Sequence, residues 1–313
     1  MKPEISAVVC THNQADYLEK SIASLFSQTL GKERFEIILV DNASQDHTSD
    51  IIRDLESRGP FRYFYEPNIG LSFARNRGWK NALSEYVAFL DSDAIACPEW
   101  LEKILDRFQS TIPKPAAVGG RIVPIWEEKR PEWLTVELET YVGIIDWSDN
   151  PLVIDVENSY YLAGSNVAYQ KNILQRVGGF SVNLGRRGQR LLSNEEIFLQ
   201  KKLISMNMPL FYDPGICVRH HVKSECLRKT WFYKRFFWQG ISDVILEYKF
   251  SQSAGETWLS IHRLWKDLSQ LYRESLLYLR RIWKKSIEKV AIKSRILYWL
   301  ARILYFGRIS IKR

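Results

Sequence analysis

Four times within the first 110 residues a short apolar run gives way to a helical pattern, and each run stops in polar residues. The runs are Ser6–Cys10, Glu36–Val40, Tyr63–Tyr65 and Tyr86–Leu90; the helical patterns are Asp16–Leu30, Asp46–Arg58, Leu71–Leu83 and Glu99–Ser110. Runs this short, rich in Val, Ile and Phe, suit strands buried on both faces, so the alternation predicts a mostly parallel sheet flanked by helices. The strand ends read Thr11-His12-Asn13, Asp41-Asn42, Glu66-Pro67-Asn68 and Asp91-Ser92-Asp93. Ligands of open α/β sheets bind at the carboxyl ends of the strands, so these four clusters predict one crevice.

The pattern loosens between Pro113 and Asn158, which reads as a loop-rich crossover with one short helix near Glu132–Thr140. It resumes with Tyr160–Gly164, Val167–Gln170, a short helix to Val177, a Gly-rich loop over Gly178–Gly188, a helix over Asn194–Met206 and a strand over Leu210–Val218. Beyond His221 the chain reads as helical. No window of 18 residues is free of charge, and no long apolar run follows a basic start. Neither a membrane-spanning helix nor a secretory signal is expected. The cysteines, Cys10, Cys97, Cys217 and Cys226, form no C-x-x-C pair, which argues for free thiols in a reducing cytosol; spacing alone leaves a Cys217–Cys226 bridge open.

Tyr86–Leu90 runs directly into two acids two residues apart, Asp91 and Asp93. In an extended chain such residues face the same side, and two carboxylates held together need a cation or hydrogen-bond donors. A hard divalent ion, Mg or Mn, is one solution; a helix N-cap with an exposed Asp is the other reading.

With Val8–Asn13, Val40–Asp46, Asn68-Ile69-Gly70, Ala74-Arg75-Asn76, Gly78 and Phe89–Asp93 in this order, the chain resembles the family-two inverting glycosyltransferases, which have a GT-A type fold. Weaker similarity extends to about His221. The resemblance implies that Thr11, Asn13 and Asp41 surround a uridine-like moiety and that Arg75 lies near the nucleotide sugar, where an ion pair with Asp91 would also suit it. It implies that Asp93 ligates a divalent metal, Mn or Mg, while Asp91 contacts ribose or a metal-bound water. Tyr161–Tyr169 with Val177–Phe180 is similar to the family's sugar and acceptor segment and places Gly164 and Asn166 there; Gly178-Gly179 equally suits a helix C-cap. Asn194-Glu195-Glu196 stands where the family has an acid followed by Asp. Inverting transfer needs one general base, and the alignment favours Glu196 over Glu195, although acids in a first helical turn also complement the helix dipole. In Cys217–His221 at most one of the adjacent imidazoles can reach the crevice, and the family spacing favours His220 as a further metal ligand.

Charge divides the chain. Residues 226–313 carry 19 Lys or Arg against 6 Asp or Glu, which leaves 25 against 30 for residues 1–225. Thr257–Arg280 places Trp258, Ile261, Trp265, Leu268, Tyr272, Leu276 and Leu279 at spacings of three and four, an amphipathic helix, and the apolar Ile296–Phe306 is too short to span a bilayer. Contact with an anionic membrane through residues 226–313 is expected; a stripe packed on the catalytic domain or on another protomer is the competing reading.

The expected organisation is a catalytic domain over 1–225, with a nucleotide-sugar half over 1–120 and an acceptor half over 121–225, followed by a basic amphipathic helical region over 226–313. The expected activity is metal-dependent transfer, with inversion, of a sugar from a nucleoside diphosphate donor, UDP-linked, to a glycan or lipid-linked acceptor. The place is cytoplasmic, at the inner face of the cell membrane, with no nucleic-acid partner. A sugar nucleotidyltransferase would need a Gly-rich triphosphate loop after the first strand, and Thr11–Gln14 contains no glycine. A non-catalytic basic protein that binds anionic lipid or nucleic acid would not need the carboxylates.

Overall fold

β1 (Ile5–Thr11) is buried at every position and lies between two parallel neighbours, β2 (Phe35–Asp41) and β4 (Tyr86–Asp91), with β3 (Arg62–Tyr65) parallel to β2 on the far side. A strand with neighbours on both edges and helices on both faces has no solvent side, which is why its sequence is apolar without alternation. α1 (Ala15–Phe26), α2 (Thr48–Glu56), α3 (Leu71–Asn81) and α4 (Trp100–Ser110) follow the four strands. The computed structural model describes residues 2–155, 157–158, 160–253, 261–281 and 288–311.

The register aligns the polar strand ends. Thr11 stands opposite Asp41, Cys10 opposite Asp91 and Asp41 opposite Tyr65, so the expected edge is a real one.

The sheet is mixed, and the expectation of a mostly parallel sheet holds only for its first four strands. β5 (Ala94–Ala96), β6 (Ala117–Trp126), β7 (Leu152–Ile154), β8 (Asn166–Gln170) and β9 (Leu210–Val222) extend it in the order β3-β2-β1-β4-β8-β6-β9-β5, with β7 on β9. β8 runs antiparallel to β4, β6 antiparallel to β8, and β5 and β7 antiparallel to β9. β6 falls inside the segment that reads as a crossover because Gly119, Gly120 and Pro124 depress its strand character. The glycines have a tertiary cause. A Cβ would stand 2.4 Å from the Asn166 carbonyl oxygen at position 119 and 2.1 Å from that of Ile216 at position 120. α5 (Val136–Glu139) is a single turn, and α6 (Lys171–Val177) ends at Gly178, which fulfils the C-cap reading. α7 (Glu195–Ser205) then carries the paired glutamates at its first two positions.

The chain forms two compact units. The first comprises Met1–Ile125, Gly143–Val182 and Glu195–His221, and holds the sheet. The second comprises Trp126–Val142, Asn183–Asn194 and Val222–Arg313. It therefore takes in two segments that lie inside the expected 1–225 domain, because their side chains pack against the C-terminal helices. Tyr141 stacks on Phe236 at 4.2 Å, Trp133 meets the Phe232 edge at 5.1 Å, and Leu192 clusters with Ile241 and Ala301. Those helices are α8 (Lys229–Ser253), α9 (Ile261–Arg281) and α10 (Glu288–Ile311). Trp258 lies outside the described residues. All four cysteines are free thiols, so Cys217 and Cys226 are not bridged.

Candidate active site

The donor edge is built from two loops clasped together. The Asn13 amide donates to Ser44 Oγ at 3.0 Å, and the Gln45 amide donates to Asn13 Oδ1 at 2.7 Å. Asn13 adopts a left-handed φ of 53°, which Asn tolerates better than most residues. Asp41 is buried, and its Oδ1 accepts from the Ser44 amide at 3.0 Å in an Asx-type turn. Burial, and then the Asp41 carboxylate, push the Tyr63 hydroxyl above its ordinary range. Thr11 Oγ1 is buried and has no hydrogen-bond partner among the described residues.

Asn42 is the residue that the sequence reading passed over. Its Nδ2 donates to the carbonyls of Glu66 and Asn68 at 3.0 and 2.8 Å, while its Oδ1 accepts from the Gly70 amide at 2.7 Å. One buried amide thus ties the end of β2 to the loop that starts α3. The available signal was a polar residue directly after a buried strand, a position where an amide must find partners.

α3 brings Arg75 beneath the carboxylates. Arg75 is 2% exposed, donates from Nη2 to Asp91 Oδ1 at 3.0 Å and from Nη1 to Glu195 Oε1 at 2.8 Å, and lies over the Phe180 ring. Burial opposes its charge, yet Asp91, Glu195 and Glu196 more than restore it and hold the guanidinium protonated. The expected ion pair with Asp91 is present, and Glu195, which is remote in sequence, completes it.

Glu196 differs. It is half-buried, its Oε2 is shielded from solvent and has no hydrogen-bond partner among the described residues. Burial first and the neighbouring Glu195 charge second push its carboxyl up to about 8, against the pull of Arg75. Its charge is the third negative one around a single buried cation, and the third is the one held back.

Asp91 and Asp93 diverge. Ser92 and Asp93 form a turn between β4 and β5, so the rule that residues two apart share a face does not apply. Asp91 turns to Arg75; Asp93 turns to His220, whose Nε2 is 3.3 Å from Asp93 Oδ1. The β5–β9 pairing sets this meeting by placing Ala94 opposite His220. The His221 ring packs edge-on against Tyr17 at 5.1 Å. Among the described residues no group of three or more His, Cys, Asp or Glu side chains is arranged to hold a metal ion. The donor set that does converge is one carboxylate and one imidazole, which fits two positions of a Mn or Mg shell and leaves the others for substrate oxygens or water.

Two expected sugar-site residues serve the scaffold. Asn166 is fully buried; its Oδ1 accepts from Trp100 Nε1 at 2.8 Å, and its Nδ2 donates to the carbonyls of Arg121 and Ile216 at 2.9 and 2.8 Å. Its amide joins β8 to α4, β6 and β9. Gly164 does admit a close approach, but by Arg75: a Cβ there would stand 2.4 Å from Nη2 and 2.5 Å from Nη1. Glycine at 164 is the space that the buried guanidinium occupies.

Known proteins share this arrangement of elements. The family model "Glycosyl transferase family 2" matches residues 6–178. A glucosyl-dolichyl phosphate glucuronosyltransferase from Haloferax volcanii is 26% identical over 275 residues, 86% of this chain and 84% of that protein. Among solved structures, the mannosyltransferase PcManGT from Pyrobaculum calidifontis, in complex with GDP-Man and Mn2+, superimposes over 97% of this chain and 88% of its own, with a TM-score of 0.63 at 16% identity. TarS 1–349 from S. aureus, in complex with UDP-GlcNAc, covers 97% of this chain and 92% of its own, with a TM-score of 0.57 at 16% identity.

Proposed function

The chain belongs to glycosyl transferase family 2 and is a glycosyltransferase of nucleotide-sugar donors; from this premise we propose that it is a metal-dependent, inverting enzyme that transfers the sugar of a UDP-linked donor to a glycan or lipid-linked acceptor. The observation that carries the reading is the inequality of the two glutamates. Glu195 is spent on Arg75, whereas Glu196 offers a shielded, unpartnered Oε2 on a carboxyl pushed up to about 8. A general base needs basicity near the working pH and an oxygen with no competing partner.

In this reading Glu196 Oε2 receives the proton of the acceptor hydroxyl as that oxygen attacks the anomeric carbon from the face opposite the diphosphate. Arg75 holds Asp91 and Glu195 in place, so that the charge around Glu196 is preset rather than rearranged during reaction. The buried Asp41 accepts from a base imide N–H, and Thr11 Oγ1, buried and without a hydrogen-bond partner among the described residues, is poised to bond the nucleoside. Asn13 keeps the clasp of the two loops that frame it. Asp93 and His220 are the protein's share of a divalent site, and a cation bound there would offset the charge of the departing diphosphate. A place at the inner face of the cell membrane, reached through residues 226–313, fits both the basic character of that region and a lipid-linked acceptor.

Calorimetric titration with UDP, GDP and dTDP, each with and without Mn, tests the reading alongside Asp93→Ala and Glu196→Gln. The expected result is metal-dependent binding of UDP, lost in Asp93→Ala and kept in Glu196→Gln, with transfer lost in both. Failure of every nucleotide to bind in the presence of Mn would sink it.

A further inference from the structure

α9 carries its charges the wrong way round for a helix in water. Its acids point inward: Asp267 is 3% and Glu274 9% exposed, and they pair with Arg302 and Arg295 of α10 at 3.0 and 2.9 Å. Four of its large apolar side chains point outward, while Leu264, Leu271, Leu276, Leu277 and Tyr278 are half-buried: Trp265 and Tyr272 are each 67% exposed, Leu279 60% and Leu268 39%. These fall at spacings of three, four and seven and form one stripe. Lys266, Arg273 and Arg280, all exposed, each stand one residue after Trp265, Tyr272 and Leu279, so a row of cations runs alongside the stripe. An ordinary surface helix turns its apolar stripe to the core and its acids to solvent. A contiguous exposed stripe rimmed by charge marks a surface that meets a partner.

We infer that the outward face of α9 is a docking surface for an anionic lipid bilayer. The chemistry selects that occupant. A second copy paired across a two-fold axis would bring the same cation rows together, at a cost in like-charge repulsion. Nucleic acid would use the two aromatic rings and the cations, but Leu268 and Leu279 offer a base nothing to stack on. A bilayer uses all three kinds of group: leucines at the acyl boundary, Trp and Tyr at the headgroup level, and cations for anionic lipid. Both acids of α9 are turned away, so among the described residues of this helix no carboxylate opposes a negative surface. Among the described residues no helix is long and apolar enough to cross a membrane, so α9 would lie in the interface plane. The inference deepens the reading of a lipid-linked acceptor, whose sugar-accepting end lies at such a surface.

The test is co-sedimentation of the full chain with phosphatidylcholine vesicles, with and without phosphatidylglycerol. We expect binding only to the anionic vesicles. Lys266→Gln with Arg273→Gln and Arg280→Gln should weaken it by roughly fivefold per charge at low salt. Trp265→Ser with Tyr272→Ser should weaken it by at least about tenfold. Trp265→Phe, which keeps the packing, provides a second readout, since it should lower the fluorescence quenching by brominated lipids that the wild-type protein shows. Wild-type binding that is absent, or unchanged in all variants, overturns the inference. So does a dimer that Trp265→Ser with Tyr272→Ser converts to a monomer, or binding confined to single-stranded DNA. UDP titration without vesicles separates the two readings: vesicle binding without nucleotide binding would sink only the donor-site reading, and the reverse would sink this surface and the membrane placement but leave the donor site standing.

Discussion

Each unit of the molecule contains a buried arginine that clamps two carboxylates, and the two clamps differ in what surrounds them. In the helical unit Arg302 binds both oxygens of Glu247 at 2.9 and 3.1 Å and Asp267 at 3.0 Å. The next acid, Asp243, is satisfied by the Tyr298 hydroxyl, Gln239 and Asn194, at 2.6, 2.8 and 2.6 Å. Burial raises the Asp267 carboxyl and Arg302 draws it back. In the sheet unit Arg75 binds Asp91 and Glu195, and the next acid, Glu196, keeps a shielded oxygen without a partner. A closed polar network rigidifies; a network with one group left over stores reactivity.

The largest effects should follow from deleting either arginine. Arg302→Ala and Arg75→Ala should each cost about 3–5 kcal/mol of stability in chemical denaturation, because each strands one buried carboxylate, Asp267 or Glu195. Neutralising the partners separates the clamps. Arg302→Ala with Asp267→Asn should recover much stability and retain transfer, whereas Arg75→Ala with Glu195→Gln should recover stability and remain inactive. Transfer restored in the second pair would break the comparison.

Next comes Glu196→Gln, expected to lower kcat by about 10²–10⁴-fold with little change in nucleotide affinity. Turnover retained in Glu196→Gln and lost in Glu195→Gln would exchange their roles.

Gly164→Ala sharpens the contrast at smaller scale. Its methyl would enter the space held by the Arg75 guanidinium, 2.4 Å from Nη2. The expected loss is about 1–3 kcal/mol of stability, read as a lower Tm, with reduced transfer.

The smallest effect is a slope with pH. The Glu196 carboxyl is raised from 4.5 to about 8, so the folded chain holds a proton that the unfolded chain releases. Stability is unaffected below the lower value and falls as pH rises between the two, with a slope of at most about 1.4 kcal/mol per pH unit. Glu196→Gln should flatten that fall; urea midpoints measured across this range decide. By the same titration, turnover should climb with pH well above the ordinary carboxylate range.

Several parts of the molecule were legible in the chain because they depend on neighbours in sequence. Unbroken apolar runs can only be strands covered on both sides, and the polar residues that end them fall at one edge once four strands run parallel, so Thr11, Asp41 and Asp91 could be placed before any coordinate. The period of α9 was equally plain. What the sequence left open was which partner each group meets, since that depends on chain segments far apart. Asp91 and Asp93 look alike in sequence, yet a turn sends one to Arg75 and the other to His220. Asn166 is placed at the sugar by resemblance, and the fold brings Trp100, Arg121 and Ile216 to its amide. Glu195 and Glu196 are one residue apart on one helical turn, and a single buried guanidinium from α3 distinguishes them. Only tertiary structure could decide these cases, because hydrogen bonds and ion pairs are short-ranged and act on whatever the fold brings within about 3 Å.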